Sequence, residues 1–114
     1  MLKRIQTLGG EGMLKKFFVW IESIIGEYKQ KGIDFLEVVL SEKNIEKKSA
    51  RVDFVVSKYL GRITLWETGE SDIELLNMET EETVDYRTVI VQEKTYADMF
   101  VLYFESILKK YGNK

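Results

Sequence analysis

The sequence predicts an α+β domain, an antiparallel sheet of about five strands flanked by an N-terminal and a C-terminal helix. Three observations carry that expectation. Apolar residues recur at helical spacing over residues 13–31 and again over 96–111. Between them lie short runs that alternate with period two or are rich in Val, Leu and Phe. Short polar turns separate most of these runs, and consecutive strands joined that way favour an antiparallel meander.

The first helix is read from Met13 to Lys31. Leu14, Phe17, Phe18, Ile21, Ile24, Ile25 and Tyr28 share one face, and Lys15, Lys16, Glu22, Glu27, Lys29 and Gln30 the other. Gly32 is a natural stop, because glycine takes the left-handed conformation that ends helices. Ile33 to Ser41 is too short for another helix and reads as a strand. Glu42 to Lys48 is a charged loop. Ala50, Val52, Phe54 and Val56 then alternate with Arg51, Asp53, Val55 and Ser57, as on a half-buried strand. Lys58 to Gly61 is expected to turn, and Arg62 to Glu67 to form a third strand. There Ile63 and Leu65 oppose Arg62, Thr64 and Trp66. Thr68-Gly69-Glu70-Ser71 is a hairpin connection in which Gly69 supplies positive φ. Asp72 to Met78 is a fourth strand, Glu79 to Glu82 a polar turn and Thr83 to Gln92 a fifth strand. The closing helix spans Tyr96 to Tyr111, with Tyr96, Met99, Phe100, Tyr103, Ile107 and Leu108 as its apolar stripe. Thr95 is placed to cap it, Asp98 to favour its dipole and Gly112 to close it. Both helices need a surface for their stripes, and the simplest solution packs them on one sheet face, leaving the other open to water or to a partner.

The 114 residues fit a single domain, 1–114. With 45% apolar and 32% charged residues, the chain has a globular balance rather than the signature of disorder. Two readings of residues 1–12 stand. They are a flexible N-terminus with a glycine hinge, or an upstream extension ahead of a native start at Met13. The second follows from Gly9-Gly10-Glu11-Gly12, whose purine-rich codons resemble a translated ribosome-binding site. The segment has no long apolar core, so it does not read as a secretory signal. No apolar run reaches the roughly 18 residues of a membrane span. A cytoplasmic protein without a membrane partner is expected.

Composition narrows the chemistry. Cysteine is absent, which removes disulfides and thiolate metal sites. Histidine is absent, which removes the commonest general base and metal ligand. No Ser-x-x-Lys stands in a plausible catalytic context, and the glycines at 9–12 lack the Walker spacing. An EF-hand spacing is missing. A carboxylate-pair hydrolase is the remaining enzymatic alternative, but the carboxylates fall at turns and polar strand faces, where solvated side chains are the rule. No catalytic residue, metal site or cofactor is expected, and the chain is read as a binding protein rather than an enzyme.

Charge is more informative. Residues 1–62 carry 12 basic and 8 acidic side chains, and residues 87–114 carry 5 and 3. Residues 63–86 carry no basic residue and eight acidic ones: Glu67, Glu70, Asp72, Glu74, Glu79, Glu81, Glu82 and Asp85. Such a region either steers an oppositely charged partner or protects a solvated sheet edge. Trp66, opposite Ile63 and Leu65, is either an interface anchor rimmed by carboxylates or covered by a helix or loop. Together with Arg62 and Thr64 these residues form the candidate partner-binding set. Direct nucleic-acid binding there is disfavoured, since carboxylates repel phosphates. The basic group Lys43, Lys47, Lys48 and Arg51 reads as a solvated loop.

Ala50-Arg51-Val52-Asp53-Phe54, followed by Tyr59-Leu60-Gly61-Arg62-Ile63-Thr64-Leu65-Trp66-Glu67-Thr68-Gly69-Glu70-Ser71-Asp72-Ile73-Glu74, resembles the immunity proteins called TriTu. The turn from Met78 to Glu82 and both helices are also similar, so the resemblance covers roughly residues 13 to 110. Its most recognisable part, Gly-x-Ile-Thr-x-Trp-Glu-x-Gly-x-x-Asp, is a pattern of fold rather than of catalysis. The resemblance implies a role in contact-dependent inhibition or a related polymorphic-toxin system. Such a protein binds a cognate toxin domain and blocks it. The family name further implies toxins acting on tRNA with elongation factor Tu, which would be met only through the toxin. The alternative is a non-catalytic adaptor or structural subunit that binds another cellular protein.

Overall fold

A computed structural model describes residues 12–41 and 48–112. The charged loop and the lysines at 43 and 47, and residues 1–11 with their two readings, lie outside the described residues. In chain order the elements are α1 (Met13–Lys31), β1 (Ile33–Leu40), β2 (Ser49–Val56), β3 (Tyr59–Trp66), β4 (Glu70–Asn77), β5 (Thr83–Ile90) and α2 (Tyr96–Tyr111). The sheet order is β1-β2-β3-β4-β5, every pair antiparallel. The α+β class and the meander expected from the sequence are therefore present, and both helices have the expected bounds.

The helices lie together on one face. Their aromatic stripes meet the inward-facing residues of the sheet. Phe104 packs against Phe35 and Phe54 at centroid distances of 5.3 and 5.6 Å, and Phe17 against Phe100 at 5.6 Å. Ala50, Val52, Phe54 and Val56 of β2 and Ile63 and Leu65 of β3 are buried beneath them, as period-two alternation requires. Ile73 and Leu75 of β4 continue the same layer. Two packed aromatics belong to these stripes although the sequence reading omits them, Trp20 three residues after Phe17 and Phe104 four after Phe100. Phe104 is fully buried, and Trp20 stacks on it at 6.3 Å.

Glycine acts where backbone geometry demands it. Gly32 ends α1 with φ 115°, and Gly69 turns β3 into β4 with φ 97°. Gly61 has a different role. It lies opposite Phe54 on β2, and a Cβ there would collide with the Phe54 ring. The Gly-x-Ile-Thr segment thus begins at a residue chosen for the ring it faces.

Three local expectations need correction. The turn expected over Lys58–Gly61 is confined to Ser57 and Lys58, with Ser57 at φ 55°, so β3 begins already at Tyr59. The connection expected over Thr68–Ser71 is shorter, since Glu70 and Ser71 already pair with Ile90 and Val89. Thr95 occupies the N-cap of α2 but makes no side-chain cap bond, because its backbone, at φ −126° and ψ −4°, is not extended.

A candidate protein-binding face

The sheet face away from the helices is built by the outward half of each strand's alternation. Register places its side chains in rows across the strands. One row runs Asp53, Arg62, Glu74, Tyr86, and the next runs Arg51, Thr64, Asp72, Thr88. Trp66, Glu70 and Ile90 lie on the same face towards the β3–β4 turn, with Glu70 opposite Ile90.

Fixed polar contacts order this face. Arg62 donates two parallel hydrogen bonds to Asp53, at 2.8 and 3.1 Å. That fork holds the guanidinium firmly charged. Its pKa is raised chiefly by the Asp53 hydrogen bond, with smaller contributions from the Asp53 and Glu74 charges against a desolvation cost. Thr88 donates to Asp72 at 3.2 Å, and the Thr68 hydroxyl donates to Glu70 at 3.2 Å. Glu70, Asp72 and Glu74 thus form an acidic column along β4, beside an exposed apolar column on β5. Tyr86 is 58% exposed and Ile90 72%.

Of the sequence-derived set, Arg62, Thr64, Trp66, Glu70, Asp72 and Glu74 come together here. The rest do not. Glu67 sits in the β3–β4 turn at one end of the sheet. Glu79, Glu81 and Glu82 sit in the β4–β5 turn at the other end. There Asn77 Oδ1 accepts the Glu79 and Thr80 N–H groups, and Lys58 approaches Glu79 at 3.6 Å. An eight-residue strand, at about 3.3 Å per residue, separates the two ends by roughly 23 Å. Asp85 lies on the helix side of β5, opposite Leu75 and bonded to Arg87 at 3.0 Å. One acidic run in the sequence therefore becomes three groups in space. Among the described residues no three carboxylates converge to hold a metal ion. No helix among the described residues is long and apolar enough to cross a membrane.

Sequence reasoning assigned no role to Val84, Tyr86, Thr88 and Ile90. Their own alternation was the available signal, broken only by the irregularity at Val84 between the Asp85 and Thr83 pairs.

A concavity lies on the helix side, between β5 and α2. It encloses about 210 Å³, with Ile73 and Phe100 in its walls and Arg87 and Leu102 at its margin. The Arg87 guanidinium stacks over Tyr103 at 5.4 Å. The cleft offers no nucleophile paired to a base, so its chemistry is that of packing.

An open, charge-patterned sheet backed by two helices defines a small α+β domain with one sheet face uncovered by helix. Comparison with known families identifies it further. Residues 15–105 match the family described as immunity protein TriTu, and the chain belongs to that family. The comparisons with curated proteins and with solved structures match nothing.

Proposed function

We propose that this chain binds the toxin domain of a polymorphic-toxin or contact-dependent inhibition system and neutralises it in the cytoplasm of the producing cell. Membership of an immunity family over residues 15–105 carries the reading. The toxin class is a tRNA-targeting nuclease, with elongation factor Tu reached only through the toxin. The protein acts by occupancy and without turnover, masking the toxin's active site or its substrate surface.

The open face supports the proposed mode of binding. A nuclease must present basic groups to phosphates, and the Glu70–Asp72–Glu74 column offers carboxylates at about 7 Å spacing along one strand face. That is close to the phosphate repeat of an extended nucleic-acid strand. Trp66, with Arg62 and Thr64 beside it, supplies an anchor next to the charges. Glu67, Glu79, Glu81, Glu82 and Asp85 lie outside this patch, where their charge steers the approach of a basic partner rather than touching it.

Co-expression with the C-terminal domain of a toxin encoded beside the gene tests the reading. Restored growth and a co-purifying 1:1 complex are expected. Two folded proteins that neither rescue growth nor associate would defeat it. Reversal of Glu70, Asp72 and Glu74 to lysine should then weaken the complex and flatten its salt dependence. Unchanged affinity would move the contact off this face.

A further inference from the structure

We propose that the edge of β5, unpaired among the described residues, pairs antiparallel with β5 of a second copy of this chain, about a two-fold axis at Tyr86. This goes beyond the immunity reading and does not depend on it.

The two sheet edges differ. β1 carries Glu37 at an irregularity in mid-strand, between the Phe35 and Val38 pairs, a feature that discourages pairing. β5 has its irregularity near one end, at Val84, and bears neither lysine nor proline. Its backbone is poised for a partner. Val91 donates its N–H to Gly69 at 2.8 Å, so alternation turns the backbone groups of Val89, Arg87 and Asp85 towards β4. The groups of Ile90, Thr88 and Tyr86 then point to the free edge. Apolar side chains flank that edge on both sides. Tyr86 and Ile90 are exposed on the open face, and Met99 and Leu102 on the helix face, Leu102 at 70%.

Charge selects the second copy and its register. With the axis at Tyr86, the two Tyr86 residues exchange backbone hydrogen bonds. Asp85 of each copy then stands directly opposite Arg87 of the other, in the closer, non-hydrogen-bonded type of pair. Both cross-strand pairs are of opposite charge. An axis at Thr88 would instead set Arg87 against Val89 and leave the carboxylates unmatched. The chosen axis also brings the acidic β4–β5 turn of one copy towards the end of β5 in the other, where exposed Lys94 follows. Glu93 at that end is neutralised by Lys16 at 2.6 Å. The resulting ten-stranded sheet keeps both acidic columns on one continuous face.

A strand-edge contact of this length falls at the small end of specific interfaces, so it is expected to depend on concentration. Sedimentation equilibrium of the full chain alone, from micromolar to hundreds of micromolar, provides the test. The mass should rise from 13.4 kDa towards twice that value. Arg87→Asp and Tyr86→Lys should each weaken association roughly tenfold, by placing like charges across the axis. The exchange of Asp85→Arg with Arg87→Asp should restore it, because the symmetric pairs are re-formed. Circular dichroism on the same samples verifies folding, and Tyr86→Lys alters only an exposed side chain. A chain monomeric throughout, an unaffected Arg87→Asp variant, or an exchange that fails to restore association overturns the proposal. So does a monomer whose toxin binding is abolished by Tyr86→Lys, which would give this edge to the toxin. Toxin rescue by the wild type is read separately, so either conclusion can fail alone.

Discussion

Tyr103 carries an unusual burden for a small core. It is buried between α2 and the sheet, and among the described residues its hydroxyl has no hydrogen-bond partner. Burial, then the Asp85 charge, pushes its phenol above the ordinary 10.0, against a pull from Arg87. Burial raises Tyr28 and Tyr96 in the same direction. A group whose pKa is raised by folding contributes its stability in full below the unfolded value. It loses that contribution as pH climbs through the folded value. Urea unfolding should therefore show stability falling above about pH 10, where unfolded tyrosines ionise. Tyr103→Phe should flatten that fall. At neutral pH it should be neutral or stabilising by about 1 kcal/mol, since an unsatisfied buried hydroxyl is removed. Gly61 gives the opposite expectation. Gly61→Ala forces a methyl into the Phe54 ring and should cost about 1–3 kcal/mol in the same measurement. Adding Phe54→Leu should recover part of the loss, because the two sites share one volume.

Among the elements, the sequence was most legible where one periodicity governs a whole segment. Both helices and the alternation in β2 and β3 could be read directly, and with them the outward direction of Trp66. Tight turns were less legible, because Ser57 takes a left-handed backbone that its residue type does not advertise. The candidate site was only half legible. A run of acidic residues says nothing about which end or face of a sheet each will occupy. β-pairing carries Glu79, Glu81 and Glu82 to the far end, and the alternation of β5 turns Asp85 to the helix side. This separation has a kinetic consequence for a bound toxin. Neutralising the three turn glutamates as glutamine should slow association and reduce its salt dependence while leaving dissociation nearly unchanged. Reversing Glu70, Asp72 and Glu74 should instead accelerate dissociation. Stopped-flow mixing at two salt concentrations distinguishes the two patterns.

For the whole molecule, placing both helices on one face is what leaves the opposite sheet face open for the proposed contact. The buried layer of Phe17, Phe54, Phe100 and Phe104 stabilises the sheet from one side, so the other side needs no cover. The ion pairs of α1, Lys16 with Glu93 in the segment before α2 and Lys31 with Glu105 of α2 at 3.4 Å, are exposed and add little to that packing. The helix layer is thin over β5. Leu102 is left in solvent there, and the cleft beside Tyr103 stays open.

The two tryptophans fall on opposite sides of this division, which makes the chain its own optical instrument. Trp20 stacks with Phe104 and meets Tyr96 edge-on at 5.7 Å in the helix layer, whereas Trp66 faces outward from β3. In a Trp20→Phe variant the remaining emission comes from the open face, so a ligand settling there should shift its wavelength and shield it from iodide. In a Trp66→Phe variant the emission should ignore such a ligand and change only as the aromatic core melts. One chain thus supplies separate lamps for occupancy and for folding, with no dye attached.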